Sequence, residues 1–215
     1  LKSYAGFLFD MDGTILNSIA AAERVWGRWA AGMGLDVETF LPTMHGKRGI
    51  DTITALNLPG IDPAVEAEKI LRDEIEDVEG VVPIPGAADF LAALPAGKWG
   101  IVTSSPIELA RVRLAAAGLP QPKIMVTAED VTVGKPDPQG YLLGARRLEA
   151  TPSEVLVFED VLAGIRAGEA AGADVMVISA THSHPIETHH PSIRDYRQVT
   201  PHVTKEGKLS LQAIA

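Results

Sequence analysis

Asp10 and Asp12 stand two positions apart, where the apolar run Phe7-Leu8-Phe9 gives way to Gly13. The run has the length and character of a buried strand. Ending such a strand in two acids is costly. Taking one carboxylate out of water costs several kcal/mol, and a close second one repels it. A divalent cation relieves both penalties, and a carboxylate held beside a cation and a phosphate can act as a nucleophile. The pair therefore points to Mg2+-dependent phosphoryl chemistry with an attacking aspartate. As an EF-hand calcium loop the segment fails, because Gly13 comes too early and no bidentate glutamate follows at loop position twelve.

Three more polar clusters follow apolar runs. Thr103-Ser104-Ser105 comes after Gly100-Ile101-Val102, Gly134-Lys135-Pro136-Asp137-Pro138 lies after Ile124–Thr127, and Glu159-Asp160 closes Val155–Phe158. Each also has a plain structural reading. Thr-Ser-Ser could cap the Ile107–Ala117 helix, Gly-Lys-Pro-Asp-Pro could be a turn with a solvated lysine, and Glu-Asp could be first-turn acids favoured by a helix dipole. Their order along the chain argues for a shared purpose. In open parallel sheets, ligands bind beyond the carboxyl ends of the strands.

The elements that would position them read as short strands at Phe7–Phe9, Trp99–Thr103, Ile124–Thr127, Val155–Phe158 and Val175–Ile178. Between them lie helical stretches at Ala87–Leu94, Leu109–Ala117, Tyr141–Leu148 and Ala163–Ala171. This alternation predicts an α/β fold with a Rossmann-like parallel sheet. The pattern breaks over residues 17–81. There Ser18 can cap a helix running to Met33 and ending at Gly34, and further helices are expected at Ile50–Leu56 and Pro63–Glu76. The expected organisation is a core of residues 1–16 and 82–215 with a small helical domain, 17–81, inserted after the first strand.

A chain of 215 residues with 46% hydrophobic content can bury one full core plus a small insert. Its net charge of -9 argues against nucleic-acid and anionic-membrane partners. It also requires cations to be concentrated locally if a phosphate is to bind. The absence of cysteine excludes disulfides, thiolate zinc sites and a cysteine nucleophile. Leu1-Lys2-Ser3-Tyr4 shows no basic stretch leading into an apolar one, and no apolar run reaches membrane-spanning length. A cytoplasmic monomer acting on a small molecule is the expectation.

Asp10-Met11-Asp12-Gly13-Thr14, Val102-Thr103-Ser104-Ser105, Gly134-Lys135-Pro136-Asp137-Pro138 and the run from Phe158 to Ile165 resemble the four ordered motifs of the haloacid dehalogenase superfamily. The insert is similar to that superfamily's helical cap. Ala22-Glu23-Arg24-Val25-Trp26, His45-Gly46-Lys47 and Val126-Thr127-Ala128-Glu129 resemble its branch of small sugar- and polyol-phosphate phosphatases, which includes 2-deoxyglucose-6-phosphate and glycerol-phosphate phosphatases. The resemblance implies Asp10 as nucleophile and Asp12 as acid and base. It implies Mg2+ on Asp10, the Asp12 carbonyl, Asp160 and Glu159, the last directly or through water. Thr103, the Ser104 amide and Lys135 would hold the phosphate. A mutase of the β-phosphoglucomutase type would share all of these motifs. Dehalogenation is disfavoured by Asp12, because a halide leaves without a proton. A non-catalytic protein on this fold would be expected to lack a motif residue, and none is missing.

Thr-Ser-Ser-Pro departs from the resembled pattern, in which a glycine often follows the first serine. Substrate selection is expected from the insert, where His45, Lys47 and Arg48 suit hydroxyls or phosphate. Trp26 and Trp29, three apart on one helix face, are expected to pack the insert. His182, His184, His189 and His190 fall close together but around Pro185 and without helical i, i+4 spacing. A surface loop is the expectation there, not a metal site.

Overall fold

The computed structural model describes residues 2–184 and 186–214, so Pro185 of the histidine segment lies outside the described residues. The chain begins with β1 (Ser3–Tyr4), β2 (Gly6–Phe9) and β3 (Leu16–Asn17). Helices α1 (Ile19–Gly32), α2 (Val37–Phe40), α3 (Gly49–Leu56) and α4 (Pro63–Glu76) follow, and β4 (Val82–Pro83) returns the chain to the sheet region. Alternating elements come next: α5 (Ala87–Ala92), β5 (Trp99–Val102), α6 (Ile107–Ala116), β6 (Ile124–Val126), α7 (Gln139–Arg147), β7 (Val155–Glu159), α8 (Leu162–Ala171) and β8 (Asp174–Ile178). The chain ends with β9 (Ser192–Ile193), β10 (Val199–Val203) and β11 (Leu209–Ala213).

The main sheet is parallel, in the order β6-β5-β2-β7-β8-β9. This is the expected α/β architecture, and β2, which ends at the acid pair, lies between β5 and β7. Helices cover both faces, so its strands read as continuous apolar text instead of alternating with polar residues. The period of two still sorts the faces. Phe7 and Phe9 pack on one side with Phe90 and Phe158, while Leu8 packs on the other with Val157 and Tyr141. Phe9 and Phe158, on neighbouring strands, stack with ring centroids 4.5 Å apart.

The helices of residues 17–81 bury a cluster of their own around Val25, Trp26, Phe40, Ile53 and Ile70. Asp62 caps α4 by accepting from the amides of Ala64 and Val65, with Pro63 at the first helical position. Ser18 precedes α1 but makes no side-chain cap; its hydroxyl is committed to Asp12 instead. The two crossings between insert and sheet run side by side, since β3 pairs antiparallel with β4 through Leu16↔Pro83 and Asn17↔Val82. The small sheet β1-β11-β10, which pairs the first strand with the last two, was not foreseen from the sequence. Among the described residues, no helix is long and apolar enough to cross a membrane.

Candidate active site

Asp10 follows β2 directly, buried at 4% exposure. Lys135, from the loop before α7, places Nζ 2.6 Å from Asp10 Oδ1 and 2.6 Å from Glu159 Oε1 at the end of β7. Burial pushes the Asp10 carboxyl up to about 7, against the pull of Lys135 and with a further push from Glu159. Burial disfavours the Lys135 ammonium too, but Asp10 and Glu159 outweigh it and hold its pKa above the ordinary value.

Glu159 has no exposed surface. Oε1 accepts from Lys135 and from the Tyr141 hydroxyl at 2.8 Å, and Oε2 accepts from the amides of Asp160 and Val161 at 2.9 and 3.3 Å. All four lone-pair positions are thus occupied. In this arrangement Glu159 holds Lys135, and it reaches a cation directly only by giving up one of these bonds. Gly164, in the first turn of α8, lies under this carboxylate so closely that a Cβ there would overlap Oε1.

Asp160 is buried, and Thr14 Oγ1 donates to its Oδ1 at 2.9 Å. Its Oδ2 faces Gly13, whose φ of +88° and missing side chain let the chain pass; a Cβ at Gly13 would overlap that oxygen. Burial, then Glu159 and Asp10, hold the Asp160 carboxyl well above the usual carboxylate range. Asp10, Glu159 and Asp160 each present a carboxylate oxygen within 4.8 Å of the others. Ionised together, these three carboxylates would set three negative charges against the single charge of Lys135, an excess of two in a buried place. Oxygen donors with that imbalance fit a hard divalent cation.

Asp12 points into the same cavity, about 570 Å³ in volume, between the strand ends and the insert. Three side chains orient its carboxylate. Ser18 Oγ donates to Oδ1 at 2.6 Å, Arg113 Nη1 to Oδ1 at 2.9 Å and Ser105 Oγ to Oδ2 at 3.0 Å. Thr103, Ser104 and Ser105 line this cavity as well. The Thr103 hydroxyl accepts from the Ser105 amide, and among the described residues no acceptor meets the Ser104 amide. The Ser104 hydroxyl donates to the Gly46 carbonyl of the insert at 2.9 Å. The Thr-Ser-Ser segment does not cap α6; the carboxylate of Glu129 receives the Ile107 amide there.

On the insert side, His45 is half-buried with Nε2 3.2 Å from Glu23, and Lys47 is exposed; both line the cavity. Arg48 also lines the cavity and is held by other parts of the chain. Its guanidinium donates to Asp51 and to the carbonyls of Val131 and Thr132, tying α3 to the loop that carries Lys135. Trp26 and Trp29 pack together as expected, and their indole N–H groups donate to Glu74 and Glu66 of α4.

The histidine segment divides. His182 meets the Asp160 carbonyl at 2.6 Å and His184 lines the cavity, whereas His189 and His190 lie beside Glu169 of α8. That last trio brings three potential ligand atoms together, which the sequence reading did not expect. Arg113 was missed altogether. A signal existed, since it shares the buried face of α6 with Leu109, Ala110 and Leu114.

Residues 4–172 match the sequence profile of a hydrolase family, the haloacid dehalogenase-like hydrolases. Hexitol phosphatase A of Escherichia coli strain K12 is 43% identical over 179 residues, covering 81% of this chain and 83% of that protein. Glycerol-1-phosphate phosphohydrolase 2 of Saccharomyces cerevisiae is 34% identical over 186 residues, covering 81% and 74% respectively. A crystal structure of a hydrolase from Pseudomonas syringae superposes with a TM-score of 0.68 at 28% identity, over 80% of this chain and 83% of that one. Sequence similarity of this extent, over a sheet whose strand ends gather the four motifs, has one reading: the chain belongs to the haloacid dehalogenase-like hydrolase family.

Proposed function

We propose that the protein is a Mg2+-dependent phosphatase that hydrolyses a small sugar or polyol phosphate through an aspartyl-phosphate. The observation that carries this reading is Asp10 itself, buried at a strand end, paired with Lys135 and facing one cavity together with Asp12. Relatives whose names specify hexitol, glycerol-1-phosphate and 2-deoxyglucose-6-phosphate phosphatases support the substrate class.

In this mechanism an Asp10 oxygen attacks phosphorus in line, and the bond from phosphorus to the leaving oxygen breaks. Asp12 gives its proton to that oxygen, releasing a neutral alcohol. Asp12 then takes a proton from water as the water attacks the aspartyl-phosphate, freeing phosphate and restoring Asp10. Lys135, Thr103 and the Ser104 amide hold the remaining phosphate oxygens. Asp10, Asp160 and the Asp12 carbonyl would hold Mg2+, with Glu159 acting on Lys135. Such a cation supplies charge neutralisation between two anions that must approach each other. The helices of residues 17–81 act as a cap over the cavity, with His45 and Lys47 turned toward the leaving group.

The test is phosphate release from a panel of hexitol, hexose and glycerol phosphates, with isomer formation followed in parallel. Free phosphate without isomer is the expected product. Isomer without phosphate would establish the mutase reading instead. Asp10→Asn should abolish turnover and leave the fold intact; retained activity would remove Asp10 as nucleophile.

A further inference from the structure

Arg113 is a charged side chain on the face that its helix turns to the core. Its buried neighbours on α6 are Leu109, Ala110 and Leu114, and its own side chain is 5% exposed. Its guanidinium joins two carboxylates from different parts of the chain. Nη1 donates to Asp12 Oδ1 at 2.9 Å, and Nη2 donates to Glu74 Oε1 at 2.8 Å. Glu74 belongs to α4 of the insert, and the same Oε1 receives the Trp26 indole N–H at 3.3 Å. The third nitrogen of the fork, Nε, is buried with no partner among the described residues.

Stability alone does not account for this residue. Burying a guanidinium and a carboxylate together often returns less than their desolvation costs, and an unpaired buried N–H adds to the deficit. An apolar pair at positions 113 and 74 together would fill the same space without either cost. What it could not do is hold Asp12. Ser18 and Ser105 also donate to Asp12, but a hydroxyl rotates to suit its acceptor. A guanidinium is planar, with its donors in fixed directions. Anchoring one arm on Glu74 therefore fixes where the other arm points.

We propose that Arg113, seated by Glu74, is the positioning residue that aims Asp12 at the leaving oxygen, so that proton transfer requires α4 to be docked against α6. The inference rests on the acid and base role assigned to Asp12 above. Arg113 moves no proton itself: the proton passes from the Asp12 carboxyl to the leaving oxygen as the phosphorus–oxygen bond breaks, and returns to Asp12 from the attacking water.

Two substrates separate this role from a structural one. Glycerol phosphate needs a proton on its leaving oxygen, whereas p-nitrophenyl phosphate releases nitrophenolate without one. The second half of the reaction, attack by water, needs Asp12 with either substrate. With Mg2+ present, Arg113→Met should lose roughly 100-fold in kcat on glycerol phosphate, the size of a general acid–base contribution, with a much smaller change in KM. On p-nitrophenyl phosphate it should give a burst of nitrophenolate, one per enzyme, followed by slow turnover.

Glu74→Gln keeps the side-chain volume and should show the same split in smaller measure. Added to Arg113→Met it should cost little more, because both act on one interaction. Circular dichroism and melting report folding. If Arg113→Met does not fold, Glu74→Gln decides the question on the same substrates. Wild-type rates in the folded variants, or equal losses on both substrates without a burst, would overturn the proposal alone. A wild-type protein that releases phosphate from no monoester would overturn the phosphatase reading and this inference with it.

Discussion

Ser105 donates its hydroxyl to Oδ2 of Asp12 at 3.0 Å, across 93 residues of chain. A glycine at this position could make no such bond. Because Ser18 and Arg113 hold Oδ1, Ser105 is the only side chain among the described residues that holds the other oxygen. Ser105→Ala should therefore lower kcat with alkyl phosphates by roughly five- to tenfold, the rate equivalent of about 1–1.5 kcal/mol for one hydrogen bond. KM should change little. Unchanged kcat would show that Oδ2 needs no such partner.

Gly164 tests what Glu159 does. A Cβ at position 164 would overlap a carboxylate that four donors hold in place, so neither side can move cheaply. Gly164→Ala should destabilise the protein by about 2–4 kcal/mol, as overpacking next to a buried polar network does. It should also reduce turnover, because Lys135 moves with Glu159. Gly32→Ala is the control: a Cβ there meets open space at the end of α1, and denaturant midpoints should stay level or rise slightly. Equal midpoints for the two variants would mean that Glu159 is free to shift.

The buried acids should make cation-free protein sensitive to pH in a defined direction. The Asp10 pKa is raised by burial to about 7, and that of Asp160 is raised as well. Folded protein therefore keeps protons that the unfolded chain has released above about pH 4. The stability they contribute is full below that pH and is lost as the pH rises through about 7. Melting midpoints in EDTA should fall from pH 5 to pH 8, at up to about 1.4 kcal/mol per pH unit for each linked proton. Asp10→Asn should flatten part of the fall. Mg2+ favours ionised carboxylates, so its stabilisation should grow over the same interval, and EDTA should abolish turnover. Midpoints that rise with pH in EDTA would contradict this account of the site.

The residues that sit at strand ends were legible because the pattern is local. Phe7-Leu8-Phe9 must be buried, so Asp10 beyond it stands out, and the same holds for Glu159 after Val155–Phe158. Residues whose partners are distant were not legible in this way. Arg113 and Glu74 are 39 positions apart and become a pair only when α4 meets α6. Ser18 looked like a helix cap because serine before a helix usually is one; competition from Asp12 decided otherwise. Arg48 donates to two backbone carbonyls 83 and 84 residues away, partners that its sequence neighbours do not announce. β10 and β11 escaped notice because β10, Val199-Thr200-Pro201-His202-Val203, carries a proline and little apolar alternation, and its support comes from pairing with β11.

The ribbon of β3 and β4 gives residues 17–81 a shared doorway. The chain leaves at Leu16-Asn17 and returns at Val82-Pro83, hydrogen-bonded to itself, with the Ile84 amide also donating to the Ile15 carbonyl. Whatever lies beyond the doorway is spliced onto two adjoining points, so its length and shape place no strain on the sheet. Descendants of such a chain can exchange the whole segment for another while inheriting the strand-end chemistry untouched. Selectivity can then be traded as a module, with one condition imposed from the far side: each replacement must bring its own anchor for the buried arginine of α6.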